Sequence, residues 1–150
     1  LLAGSLRAAT TAPGAGVPNP CNSKSGGVFP EVAYHQGKLW CAVQTGESLR
    51  VVELNADLTV ASEKKLALGP GSLAFPRMAS EGAALWIAYR DQATAKLVNL
   101  ATGESQSLGA SGGNDPVAVG SGLVAWQSED AAFTMVREWA GSLVASSRFG

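Results

Sequence analysis

The chain has 150 residues, 46% of them hydrophobic and only 15% charged, with 11 basic residues against 12 acidic ones. That composition is too apolar for a disordered tail and long enough to bury a core. The balanced charge leaves no basic field for nucleic acid, and no apolar run approaches the roughly 20 residues that span a bilayer.

Residues 1–27 read as a short strand, Ser5-Leu6-Arg7-Ala8-Ala9-Thr10, followed by an irregular arm. Pro13, Gly14, Gly16, Pro18, Pro20, Gly26 and Gly27 exclude a helix there. A first unit, 28–72, carries four predicted strands at 28–35, 39–44, 49–54 and 59–66, with turns at Gly46-Glu47 and Asn55-Ala56-Asp57. A second, 73–113, has four at 74–80, 84–90, 95–100 and 104–108; its turns fall at Glu81-Gly82 and Thr102-Gly103, and the Gly-rich stretch 109–113 leads onward. The third, 114–150, has them at 117–119, 123–127, 133–138 and 142–148, with turns at Gly120-Ser121-Gly122 and Ala140-Gly141.

These units are repeats. Pro30, Pro76 and Pro116 recur after 46 and then 40 residues, each opening a hairpin whose second strand holds Trp40, Trp86 or Trp126. Units of about 40 to 45 residues, each a four-stranded antiparallel meander, are the signature of propeller blades. A blade is apolar on both faces and must be sandwiched between neighbours. The three tryptophans, with Phe75 and Tyr89, are therefore expected to form the blade-packing core, and Ala42, Ala88 and Ala125 to make room for the rings. Residue comparison along the third and fourth strands equates Val51-Val52, Leu97-Val98 and Met135-Val136, and sets Val60-Ala61-Ser62 against Val144-Ala145-Ser146 at an offset of 84. The expected fold is all-β, three four-stranded antiparallel blades of a β-propeller. Three blades cannot close with ordinary twist. Further blades from the same parent chain or another subunit should complete a six- or seven-bladed or partner-completed ring, and a lone monomer should not be stable.

Two cysteines leave two readings open. Cys21 and Cys41 are free thiols, with Cys41 an ordinary buried hydrophobe, or they form a disulfide that pins the arm to the first repeat in an oxidising setting. Two thiols and the single His35, without C-x-x-C spacing, are too few ligands for zinc, so neither metal nor cofactor is expected. No nucleophile elbow, Walker loop or dinucleotide fingerprint appears. Glu31, Glu81, Asp91, Asp115, Glu129 and Asp130 fall at predicted turns or strand ends, where solvation accounts for them.

The pattern F-P-x-hydrophobic-A followed by L-W-x-A, a third strand, a hairpin and a polar outer strand resembles the blades of sialidase-like propellers with BNR-type repeats, over about residues 28–149. That family's third hairpin carries an Asp box, S-x-D-x-G-x-T-W; in Leu54-Asn55-Ala56-Asp57-Leu58-Thr59-Val60 only Asp57 and Thr59 resemble it. The resemblance implies channel-facing arginines that grip a carboxylate. Arg77 stands at the mouth of an inner strand, although Phe75-Pro76-Arg77-Met78 reverses the family's order, and its blade-mates by position are Glu31 and Val117. Arg77, Glu31 and Asp115 are the ligand-binding candidates, with no catalytic set among them. The expected role is a non-catalytic extracellular, periplasmic or virion-surface module that binds a glycan or a partner protein. The alternatives are a structural segment of a phage tail or surface appendage, and part of a sialidase-like glycoside hydrolase.

Overall fold

The computed structural model of the chain describes residues 21, 30–112, 117–120, 122–129, 133–138 and 143–148. The expected N-terminal strand and arm (save Cys21), the first residues of the unit at 28, and Asp115 lie outside them. Among the described residues every regular element is a strand. The first sheet is β1 (Glu31–His35), β2 (Lys38–Thr45), β3 (Ser48–Leu54) and β4 (Val60–Ala67). The second is β5 (Arg77–Glu81), β6 (Ala84–Asp91), β7 (Thr94–Asn99) and β8 (Ser105–Ala110). The third is β9 (Ala118–Gly120), β10 (Leu123–Gln127), β11 (Phe133–Glu138) and β12 (Leu143–Arg148). Each is a four-stranded antiparallel meander whose spatial order is its chain order.

Turn chemistry sets the hairpins. Gln36 and Gly37, at φ 49° and 79°, form the tight β1–β2 link, where both central residues are left-handed as a type I′ turn requires. β5 begins three residues later than the sequence suggests. Phe75 is held at φ 41°, Pro76 has no N–H to give, and the Ala74 N–H is already spent on Gln44 Oε1 at 2.8 Å, so the chain reaches ladder geometry only at Arg77.

The sheets stack face to face in chain order. Between the first and second lie Ala42, Leu49 and Val51 from one side and Met78, Leu85, Ile87, Tyr89, Val98 and Leu100 from the other. Trp86, Ala88, Ala95 and Leu97 then meet Val117, Val124 and Trp126 of the third sheet. The first strands β1, β5 and β9 approach one another in succession, so the sheets fan out from that edge. β4, with Ser62, Glu63, Lys64 and Lys65 exposed along it, is a solvated outer strand.

The repeat register needs one correction. Counted from the β1–β2, β5–β6 and β9–β10 turns, Trp40 and Trp86 are equivalent, but their counterpart in the third sheet is Ala125. Trp126 lies one residue further on. Because side chains alternate across a strand, that single step turns it to the other face. Trp40 and Trp86 point toward the following sheet, while Trp126 points back into the core it shares with Trp86. Met135 accordingly matches Val52 and Val98, not Val51 and Leu97, and the offset of 84 becomes 83, Ala145 facing Val136 as Ser62 faces Glu53.

Candidate functional site

Two of the three candidate ligand residues come together. Glu31 on β1 and Arg77 on β5 meet across the inner edge of the first two sheets, Oε2 to Nη1 3.6 Å, with side chains 26% and 41% exposed. Arg77 Nη1 also donates to the Pro76 carbonyl at 3.0 Å. The pair braces adjacent sheets, and the guanidinium is partly occupied by it. The expected packing residues Trp86, Trp126 and Tyr89 are buried, and Phe75 and Trp40 are partly so.

Cys21 and Cys41 are joined in a disulfide, with Cα atoms 5.9 Å apart. It lies on the face of the first sheet turned away from the second, among Leu39, Val52 and Leu54. Among the described residues no group of three or more His, Cys, Asp and Glu is placed to hold a metal ion, and no helix is long and apolar enough to cross a membrane.

The crevice with the most varied chemistry opens where the β1–β2 and β5–β6 turns flank the seam between the first two sheets. Its volume is about 240 Å³, and Trp40, Leu85, Leu100 and Ala101 wall it beside His35, Gln36, Lys38 and Glu53. Register explains the polar side. Trp40 pairs with Glu53 across β2 and β3, and Lys38 lies two residues before Trp40 on the same face, so its ammonium reaches Glu53 Oε1 in an ion pair. Ser62 Oγ donates to the other oxygen, Oε2, at 2.9 Å. The Lys38 hydrogen bond, with help from Ser62 and against the opposing effect of burial, holds the Glu53 carboxyl below the usual carboxylate range. His35 is buried beside them and its Nδ1 hydrogen-bonds Ser80 Oγ of the next sheet at 2.8 Å. Trp40 Nε1 is buried without a hydrogen-bond partner among the described residues. An indole wall next to a neutralised ion pair and a carboxamide suits a ligand with apolar C–H faces and several hydroxyls.

Sequence reasoning placed Trp40 in the blade-packing core and passed over Gln36, Lys38 and Glu53. Their signal is the β2–β3 register, which joins residues 15 positions apart and is set by the Gly46 turn. At the opposite end of the same seam, Asp91 ties the crossover to the second sheet. Its Oδ1 accepts from Gly69 N at 2.7 Å and Ser72 Oγ at 2.8 Å, and its Oδ2 from Lys96 Nζ at 2.5 Å. Gln44, itself buried, donates to the Ser72 carbonyl at 2.6 Å. Both Asp91 oxygens are engaged within the fold, so the cluster acts as a clamp.

The hairpin between β3 and β4 is held by its own side chains. Asp57 Oδ1 accepts from the Thr59 N–H at 3.0 Å and the Thr59 hydroxyl at 2.6 Å. Those bonds hold the Asp57 carboxyl below its ordinary value.

No family model and no curated protein sequence matches the chain. Among solved structures it is similar to KlHsv2 with loop 6CD replaced by a Gly-Ser linker, at 7% identity and a TM-score of 0.52, over 80% of this chain and 39% of that one. It is also similar to Myxococcus xanthus glutaminyl cyclase, at 16% identity and a TM-score of 0.45, over 80% of this chain and 50% of that one. The chain thus spans between two fifths and one half of the structures it matches. The first likeness is one of fold, and it makes this an all-β, propeller-like arrangement of sheets.

Proposed function

We propose that the chain supplies three consecutive blades of a larger, six- or seven-bladed or partner-completed propeller, and that this propeller is a non-catalytic binding module that takes a carbohydrate in the crevice at Trp40. The observation that carries this reading is the composition of that crevice, an aromatic wall beside Lys38, Glu53 and Gln36 at a solvent-open seam. A sugar ring stacks its C–H face on the indole, and its hydroxyls exchange hydrogen bonds with the carboxylate, the ammonium and the amide. Lys38 and Glu53 neutralise each other, which favours a neutral ligand. Glycoside hydrolysis uses two carboxyl groups, one of them kept protonated; among the lining residues Glu53 is the one carboxylate, and it is held ionised. The Cys21–Cys41 bond favours an oxidising location, at an extracellular, periplasmic or virion surface.

The test is a glycan array followed by calorimetric titration of the best hits. Binding weakened at least tenfold by Trp40→Ala, and also by Gln36→Ala at an exposed position that leaves the fold intact, supports the reading. No glycan retained, or binding indifferent to both substitutions, removes it. Turnover of a fluorogenic sialoside would replace it with the hydrolase alternative.

A further inference from the structure

We propose that His35 is the orienting residue of the Trp40 crevice: Ser80 of the second sheet fixes its ring through Nδ1, and Nε2 bonds a hydroxyl of a single sugar ring stacked on the indole. This deepens the carbohydrate reading above and rests on it.

The first argument is one of hydrogen bonds. His35 is only 6% exposed, yet it lines the crevice. Its Nδ1 is engaged by Ser80 Oγ at 2.8 Å across the seam, and among the described residues no group is bonded to Nε2. An unbonded ring nitrogen at a buried position is costly, and the crevice is where a partner can reach it. In a neutral imidazole one nitrogen donates and the other accepts, so the direction of the Ser80 bond decides what Nε2 offers. A hydroxyl answers either offer, because it donates and accepts through one oxygen. Beside the imidazole, Glu53 accepts and Lys38 donates, so a ring with several hydroxyls matches all three. The crevice, about 240 Å³, is smaller than the roughly 300 to 1,000 Å³ of pockets for drug-sized ligands, which limits the buried part of the ligand to one ring.

The seam between the second and third sheets supplies the comparison. It repeats the stacked sheets and the tryptophan, here Trp86, but not the polar set. Counted from the hairpin turns, Glu81 stands in the place of His35, Ala84 in that of Lys38 and Asn99 in that of Glu53. Val119 of the third sheet replaces Ser80 and has no hydroxyl to offer. Asn99 Oδ1 is turned to its own hairpin, where it accepts from the Ala101 N–H at 3.0 Å. Trp86 is buried, whereas Trp40 is only partly so. Two stacked sheets therefore need neither the imidazole nor the ion pair in order to pack. Packing alone does not account for finding both in one crevice.

His35 is the single histidine of the chain, so its imidazole can be followed by itself. Long-range proton–nitrogen NMR spectra of the native chain are recorded while methyl glycosides of glucose, galactose, mannose and N-acetylglucosamine are added. The expected result is a shift of the Nε2 signal that saturates with the sugar and exceeds that of Nδ1. Two variants separate the nitrogens, since His35→Gln carries an amide near the place of Nε2 and His35→Asn near that of Nδ1. Affinity for the bound glycoside, read by calorimetry, should fall by no more than about threefold in His35→Gln and by roughly tenfold or more in His35→Asn. Ser80→Ala, which frees the ring, should weaken binding by about threefold. A sugar that binds with Trp40→Ala sensitivity but leaves Nε2 unshifted, that binds the two His35 variants equally, or that is indifferent to Ser80→Ala overturns this inference and leaves the carbohydrate reading standing. Binding of longer glycans with no methyl glycoside bound does the same. If neither array glycans nor methyl glycosides bind, the reading beneath it falls as well.

Discussion

Cys41 and Ile87 occupy the same position in successive sheets, four residues past the turn and opposite Val52 and Val98 respectively. Ile87 is covered by the first sheet and shares its core with Leu68 and Ala74 of the incoming crossover. Cys41 is covered by Cys21, to which it is bonded. A covalent link therefore stands in the first sheet where an apolar contact serves the second.

Breaking that link should cost about 3 kcal/mol, the loop-closure value for a cross-link spanning 20 residues. Cys21→Ser is the cleaner variant, because Cys41 is fully buried and a serine there would add an unpaired hydroxyl. The double variant Cys21→Leu with Cys41→Ile copies the Leu68–Ile87 contact and should recover part of the loss. Urea midpoints compare the three. A double variant no more stable than Cys21→Ser would end the equivalence.

Alkaline pH should destabilise the fold through Tyr89. Burial, with a contribution from the nearby Asp91 charge, pushes its phenol up from 10.0 to about 12. A folded value above the unfolded one means the contribution is intact below about pH 10 and is lost as pH rises through about 12. The size is about 2 to 3 kcal/mol, at roughly 1.4 kcal/mol for each unit. Tyr89→Phe should flatten the stability profile between pH 9 and 12. Phenolate absorbance at 295 nm, appearing in the native chain already near pH 10, would contradict the burial argument.

The strands and their order were legible because every unit repeats the same Pro, turn and Trp landmarks, and because meanders keep neighbours local. The slip in the third sheet was legible too, but from a different landmark. Trp40 stands three positions after Gly37, and Trp126 four positions after Gly122; the recurrence of Pro and Trp hid what counting from the turn reveals. The Trp40 crevice was hidden for another reason. Lys38, Glu53 and Leu85 meet only after two hairpin registers and one stacking of sheets are fixed, and none of those is written in local spacing. Arg77 and Glu31, chosen separately as ligand residues, turn out to be each other's neighbours, a pairing that follows from the stacking of β1 on β5.

Gly112 is predicted to tolerate no side chain. The crossover out of β8 presses on the end of β10, with Gly112 N donating to the Ser128 carbonyl at 2.9 Å. A Cβ there would lie 2.2 Å from the Glu129 carbonyl oxygen and 2.5 Å from that of Ser128. Both obstacles are backbone and cannot rotate away. Gly112→Ala should cost about 1 to 3 kcal/mol as an overpacking strain. Hydrogen exchange should place the loss at the seam between the second and third sheets, and an unchanged melting temperature would sink the prediction.

Asp91 should account for part of the acid limb. Burial alone would raise its carboxyl, but the Lys96 hydrogen bond, the Gly69 N–H, the Ser72 hydroxyl and the Lys96 charge outweigh burial and hold it below its ordinary 3.8. A depressed folded value means the stabilisation is present above the unfolded value and lost as pH falls through the folded one. Asp91→Asn keeps the size of the side chain but turns one end into a donor that faces Lys96. At pH 7 it should cost about 1 to 3 kcal/mol, since the lost partners are partly screened at the surface. The gap should shrink as pH falls below the ordinary 3.8 and on through the lower value at which the native carboxylate takes up its proton. The same substitution removes the charge that helps raise Tyr89, so the phenol should titrate lower in the variant. A gap in urea midpoint that stays constant from pH 7 down to about pH 2 would mean Asp91 acts by shape and not by charge.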